Sequence, residues 1–194
     1  MMTIDDMLSK IAEINSTAPK ESPKVPQPKK GSTAGDLHIK KESVSVNNAD
    51  STNSLLLRPV LPLSIAKEII YCVECGAQKL GVNAVVSIVN AQGALIALEA
   101  MDGSLAVSLK ASQDKAYTAA ALKMDTVSAL KESRGGKLDG LTNGDGILLL
   151  GGGCPLFAGD TLIGAVGVSG GTKDEDNELA MLGVRYFKSR IKTA

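Results

Sequence analysis

Several short stretches of this chain carry residue types and spacings that could do chemistry. Cys72 and Cys75 form a C-x-x-C pair, the spacing of redox thiols and of half a zinc site. Lys115 and Thr118 are three residues apart, which puts them on one face if the segment is helical. With Asp102, Asp114 and Arg134 near in sequence, they suit a small polar pocket for an anionic ligand. Gly152 and Gly153 close the run Gly151-Gly152-Gly153, where a ligand or a partner backbone could come close. Gly170-Gly171-Thr172 precedes a helical pattern, so free amides there could hold a carboxylate. Neither glycine stretch is a P-loop, because no Gly-Lys-Ser/Thr follows.

Each motif also has a plain structural reading. The C-x-x-C pair falls in the middle of a helical pattern, away from the N-terminal position that activates a thiol, which favours buried structural cysteines. Only Cys154 remains as a further soft ligand. Asp174, Glu175 and Asp176 compete for the positive end of the helix that Gly170 and Gly171 introduce. The single histidine, His38, lies in a Pro-rich stretch, so a Ser-His-Asp or Cys-His arrangement cannot form in the folded part. Asp102, Asp145 and Asp160 each sit in a turn motif that already accounts for them. No catalytic residue and no metal site follow from these patterns.

The elements that must position these residues begin near Leu61. Ser64 is the expected cap of a helix with Ile65, Ile69, Cys72, Val73, Gly76, Ala77 and Leu80 on its buried face, ended by Gly81. Val85 to Val89 and Ala94 to Glu99 make a hairpin around Asn90-Ala-Gln-Gly93. Helices follow over about Ser104 to Lys123 and Thr126 to Ser133. Strands are expected at Ile147 to Leu150, from Pro155, and over Thr161 to Ser169, before a helix capped by Thr172 and Glu175 that reaches about Lys188. Hairpins dominate, so the expected class is α/β of the α+β kind: a mainly antiparallel sheet of about five strands with helices packed on it.

Residues 1–15 read as a separate element. Ile4, Met7, Leu8, Ile11 and Ile14 form one apolar stripe, with Thr3 as cap and charged residues opposite. So short a helix is barely stable alone and needs something to bind. Residues 16–58, rich in Pro, Lys, Ser, Thr and Asn, cannot bury enough apolar surface to fold and read as a disordered tether. Two uses fit: the helix folds back on the domain, which occupies 59–194, or it docks on a partner groove. Lys plus Arg and Asp plus Glu both number 21, so no field draws nucleic acid or membrane. Trp is absent and aromatics are 3% of residues, which disfavours base-stacking platforms. No secretory signal or membrane-length apolar run occurs, and three cysteines without export signals suit reduced thiols in a cytoplasm.

Residues 61–186 resemble the GlcG-like and HbpS-like haem-binding family, which includes the domain fused to some propanediol-utilisation corrinoid adenosyltransferases. The resemblance rests on Met101-Asp102-Gly103, Asp114-Lys115-Ala116-Tyr117-Thr118-Ala119, Gly151-Gly152-Gly153-Cys154-Pro155 and Gly164 to Gly171. It implies a profilin-like or PAS-like sandwich, assembly into homo-oligomers, and haem or a corrinoid as ligand. The N-terminal helix and linker in turn resemble an encapsulation peptide, which implies shell or cargo proteins of a bacterial microcompartment as partners and its lumen as location. Haem-binding relatives in the propanediol branch use an axial histidine, which this domain lacks. Tyr71, Cys72, Cys75 and Met101 are then the candidate haem contacts. Three functions follow: an accessory binding protein for a small anionic ligand, an enzyme acting on a small carbonyl or hydroxy acid through Lys115, or an oligomeric structural cargo protein.

Overall fold

A computed structural model describes residues 59–141 and 145–192. The expected N-terminal helix with Ile4, Met7, Leu8, Ile11 and Ile14, the tether over 16–58, His38 and the Asn143-Gly144 turn lie outside the described residues. The first element is helix α1, Leu63–Leu80, which buries Ile69, Ile70, Cys72, Val73 and Ala77. It starts directly after Pro62 rather than at Ser64, because the proline ring presets φ and leaves no N–H to satisfy. Gly81 ends it in the left-handed conformation, as its residue type requires.

Strands β1 (Val85–Asn90) and β2 (Leu95–Ala100) form the expected hairpin. Asn90 Oδ1 closes its turn by accepting from the amides of Gln92 and Ala94. Helix α2 runs over Ala106–Leu122 and helix α3 over Thr126–Glu132. Strands β3 (Gly153–Ala158) and β4 (Thr161–Ser169) complete a four-stranded antiparallel sheet in the order β2-β1-β4-β3. Helix α4, Lys173–Lys192, closes the chain, running past the expected Lys188. Thr172 and Glu175 form the expected capping box: each backbone amide donates to the other's side chain.

The class is therefore α+β, as the hairpin pattern implied, but with one strand fewer. Ile147 to Leu150 is not a strand. Side chains satisfy its backbone where a neighbouring strand was expected: Leu148 N–H donates to Thr118 Oγ1 at 2.9 Å, and Thr126 Oγ1 donates to Leu150 O at 2.6 Å. An apolar run bounded by turns looks the same in either case.

Helix α2 covers one face of the sheet, and α1 with α4 covers the other. Two chemistries fit the two faces. Toward α2 the contacts are small: Ser112, Ala116, Ala119 and Ala120 meet Val89, Ala165 and Gly167, and Ser87 Oγ lies 2.8 Å from Ser112 Oγ. Toward α1 and α4 they are large, with Val166, Ile69 and Val73 packed around Gly183. Among the described residues no helix is long and apolar enough to cross a membrane.

Candidate functional site

Lys115 lies on the buried face of α2 and is fully enclosed. Its Nζ donates to Val168 O at 2.9 Å and to Asp176 Oδ2 at 2.7 Å. Asp176, in the first turn of α4, is also buried, and its Oδ1 accepts from Gly171 N–H at 2.9 Å. The lysine thereby joins α2 to the helix on the opposite face of the sheet. Gly152 leaves the space for it: with φ at +117°, a Cβ there would stand 2.9 Å from Asp176 Cβ and 3.1 Å from Lys115 Nζ. Any side chain would strain the backbone and block the ion pair. Burial pushes the Lys115 ammonium below its ordinary pKa, and the hydrogen bond and charge of Asp176 oppose that shift.

The structure thus gathers Lys115, Gly152 and Gly171, but around Asp176 and without an accessible cavity. Gly170 leads directly into this turn. Gly153 opens β3, its N–H donating to Thr126 Oγ1 at 3.0 Å. Thr118 shares the buried face with Lys115 but serves a different end, holding Leu148 in place. Asp102 is exposed in its turn and Arg134 is exposed after α3, so neither joins Lys115. The amides at Gly171 and Thr172 are already taken by Asp176 and Glu175, which accounts for them without a ligand. Asp176 was the missed partner: its spacing after Gly171 was visible, but its contact across 61 residues was not.

The outward side of the same motif is different. Asp114 and Tyr117 line a 420 Å³ pocket with Lys110, Gln113, Gly93 and Asp145. Lys110 and Asp114 form an exposed ion pair one helical turn apart, and Gly93 lets the Tyr117 ring lie on the hairpin turn. Because Thr118 anchors Leu148, the inward residue also positions the loop that carries Asp145. A second pocket, of 330 Å³, is mostly apolar and is lined by Leu61, Ile65, Ile163, Phe187 and Ile191.

A third pocket, also 330 Å³, opens where α2 ends beside β3 and α4. Met124, Phe157, Pro155, Met181 and Val184 supply its apolar wall, and Lys123 and Lys188 stand at it. Neither lysine forms an ion pair among the described residues. Lys123 holds φ at 55°, the one described non-glycine residue in the left-handed region. A glycine usually ends a helix this way, and a side chain there costs roughly 1 kcal/mol more. Asp125 also lines the pocket but is engaged as the cap of α3, accepting from Ser128 N–H and Oγ–H, each at 2.8 Å.

The remaining sequence candidates lie elsewhere. Cys72 is buried and Cys75 half-buried on α1 beside the exposed Tyr71. Burial and the neighbouring Cys75 push the Cys72 thiol up to about 11, and Tyr71 is likewise raised, chiefly by its hydrogen bond to Cys75. Burial pushes Cys154 up to about 12. The Cys72 and Cys154 thiols are held protonated, the opposite of an activated thiol. Met101 directly follows β2, its Sδ accepting from Ala84 N–H at 3.4 Å. None of the three pockets is lined by Tyr71, Cys72, Cys75 or Met101. Among the described residues no three His, Cys, Asp or Glu side chains are grouped to hold a metal ion.

Comparison with known proteins places this fold. An uncharacterised 15.0 kDa protein of Citrobacter freundii, from the dhaT-dhaS intergenic region, is 37% identical over 130 residues, 66% of this chain and 92% of that protein. The corrinoid adenosyltransferase PduO of Salmonella typhimurium is 36% identical over 112 residues, 56% of this chain but only 33% of the enzyme. The chain thus spans about a third of PduO's length. Among solved structures, the Klebsiella pneumoniae protein ORFY superposes with a TM-score of 0.64 at 30% identity, covering 79% of this chain and 99% of that one. The PduOC haem complex superposes with a TM-score of 0.60 at 31% identity, over 66% of this chain and 94% of that one. Residues 61–185 match the family model described as haem degrading protein HbpS-like. The chain belongs to the HbpS-like family.

Proposed function

We propose that this protein is an accessory binding protein for a small anionic ligand of the haem or corrinoid class, carried as cargo in a bacterial microcompartment. The observation that carries the reading is the likeness to the PduOC haem complex at 31% identity over 94% of that chain. The interior agrees with binding rather than turnover: Lys115, the one buried amine among the described residues, is sealed and committed to Asp176 and Val168, so it offers no nucleophile to a carbonyl substrate.

The donor set permits a haem without histidine. The described residues contain no imidazole, and the Cys72 and Cys154 thiols stay protonated. Neutral thioethers are further soft donors, and two of them line a pocket with two lysines. A bound haem would supply an iron centre; the protein would contribute apolar surface and positive charge for its carboxylates. The PduO relatives support the propanediol-utilisation setting, and the stripe Ile4, Met7, Leu8, Ile11 and Ile14 suits attachment to shell or cargo proteins. Exposed Leu105, Val107 and Leu109 at the start of α2 suit contact with further copies of the chain.

Titration of the purified full-length chain with hemin tests the ligand. A saturable Soret band at one equivalent per chain is expected. A spectrum indistinguishable from that of free hemin at every ratio, from protein that is folded by circular dichroism, would overturn the haem reading.

A further inference from the structure

Helix α2 is built inside out. It turns Ser108, Ser112, Lys115 and Thr118 into the fold beside small alanines. Leu105, Leu109 and Tyr117 meanwhile stand 64%, 41% and 40% exposed. A helix covered on one side only shows the reverse pattern, with its large apolar side chains on the buried face. Leu105, Leu109, Gln113 and Tyr117 are spaced four apart and form one row. Gln113 and Tyr117 border the same hollow as Leu95 of β2, so the exposed row runs along the β2 side of the helix.

Strand β2 is open on that side too. Its helix contacts are chiefly to α1, whereas α2 packs on β1, β3 and β4. In the hairpin register Leu98 lies opposite Ser87 and Leu95 opposite Val89, and opposed residues share a face of the sheet. Ser87 meets Ser112 of α2, so Leu95 and Leu98 point to the α2 side, with Leu95 50% exposed. β2 is also an end strand of the sheet. The opposite edge, β3, is mostly buried, while β2 is exposed or half-buried throughout. Folded proteins cover or blunt an edge of this kind.

We propose that this face, the outer row of α2 with the uncovered side of β2, docks a second copy of the chain about a twofold axis. The proposal gives a place to the contact between copies named above, and it holds whatever the ligand is. Two properties single out a second copy as the occupant. The first is area. The exposed apolar side chains sum to roughly 500 Å², close to the apolar share of the about 800 Å² that each partner gives to a standard interface. That is also near the upper end of what a lone protein leaves open. The second is charge. Lys110 and Asp114, beside the row, pair one helical turn apart, so the face carries both signs side by side. Two identical copies can then offer each other's charges a partner across the axis. A patch of one sign would instead call for a foreign partner of the other sign.

The test is the oligomeric state of the full-length chain, measured by sedimentation velocity from low to high micromolar concentration. Wild type should sediment as a dimer or a multiple of one. Leu95→Lys and Leu109→Lys each place an ammonium in the contact at a position that the single chain leaves exposed. Circular dichroism should stay native in both, while self-association weakens about tenfold or more. If one variant fails to fold, the other reads the same face. Met181→Lys replaces an apolar side chain of α4 about as exposed as Leu109, on the other face of the sheet, and should leave association unchanged. Amide exchange along β2 should slow as wild type is concentrated, and not in the two β2-side variants. Association that survives both variants, or is lost equally in Met181→Lys, would overturn this face as the interface. A wild type that stays monomeric at high micromolar concentration would overturn the dimer, in favour of another segment of the chain where β2 amides are protected and of a foreign partner where they are not. A wild-type dimer that fails to bind hemin would remove the ligand reading and leave the face in place.

Discussion

Two regions of this domain bring lysine side chains to the edge of the same sheet, and they do so to opposite effect. At the Lys115 centre the ammonium is enclosed and bonded to Asp176 and Val168, and Gly152 gives up its side chain to make room. At the pocket where α2 ends, Lys123 and Lys188 have no ion-pair partner among the described residues and border apolar surface. The first arrangement spends its charge inside the fold, binding the two helical layers together. The second leaves its charge at the surface. A lysine in a family motif is therefore a poor guide to ligand contact by itself. What distinguishes the two is whether the protein already supplies the counter-charge.

The comparison breaks most sharply at Lys115. Replacing it by Ala strands Asp176 in the interior and should cost about 3–5 kcal/mol, lowering the melting temperature by roughly 10–20 °C. The double change Lys115→Met with Asp176→Leu should recover much of that loss, measured by thermal and urea unfolding. Recovery would mark the pair as structural, whereas a double variant no better than the single one would mean the ion pair specifies the fold. A smaller effect is expected at Thr118→Val, which removes the acceptor for Leu148 N–H. That change should cost about 1–2 kcal/mol and speed hydrogen exchange at Leu148, loosening the Asp145 side of the Tyr117 pocket.

The smallest effect concerns pH. Cys72 and Cys154 have thiols raised from 9.0 to about 11 and about 12 in the folded chain. Above pH 9 the unfolded chain loses these protons while the folded chain keeps them. The stability they contribute is full below pH 9 and falls as pH rises through 11 to 12. Cys154→Ala should flatten that alkaline decline, seen as a weaker pH dependence of the urea midpoint between pH 8 and 10. An unchanged slope would mean that the thiol is less buried than its position on β3 implies.

Much of the fold was legible because its signals are local. Gly81, the Asn90 to Gly93 turn, and Thr172 with Glu175 each act within a few residues, and each element boundary they imply is present. The error at Ile147 to Leu150 has a physical cause. Its backbone partners are the hydroxyls of Thr118 and Thr126, which lie about 24 to 30 residues earlier, so nothing local separates it from a strand.

For the candidate site the division is sharper. By itself, the sequence determined the HbpS-like motifs, the helix order and the lack of a histidine outside the N-terminal stretch, because residue type and short spacing are enough for these. Tertiary structure alone decided that Lys115 faces Asp176 and that Met124, Met181, Lys123 and Lys188 border one pocket. Those neighbours come from opposite faces and distant turns of the chain, and whether a charge is partnered or left open depends on what folding brings beside it.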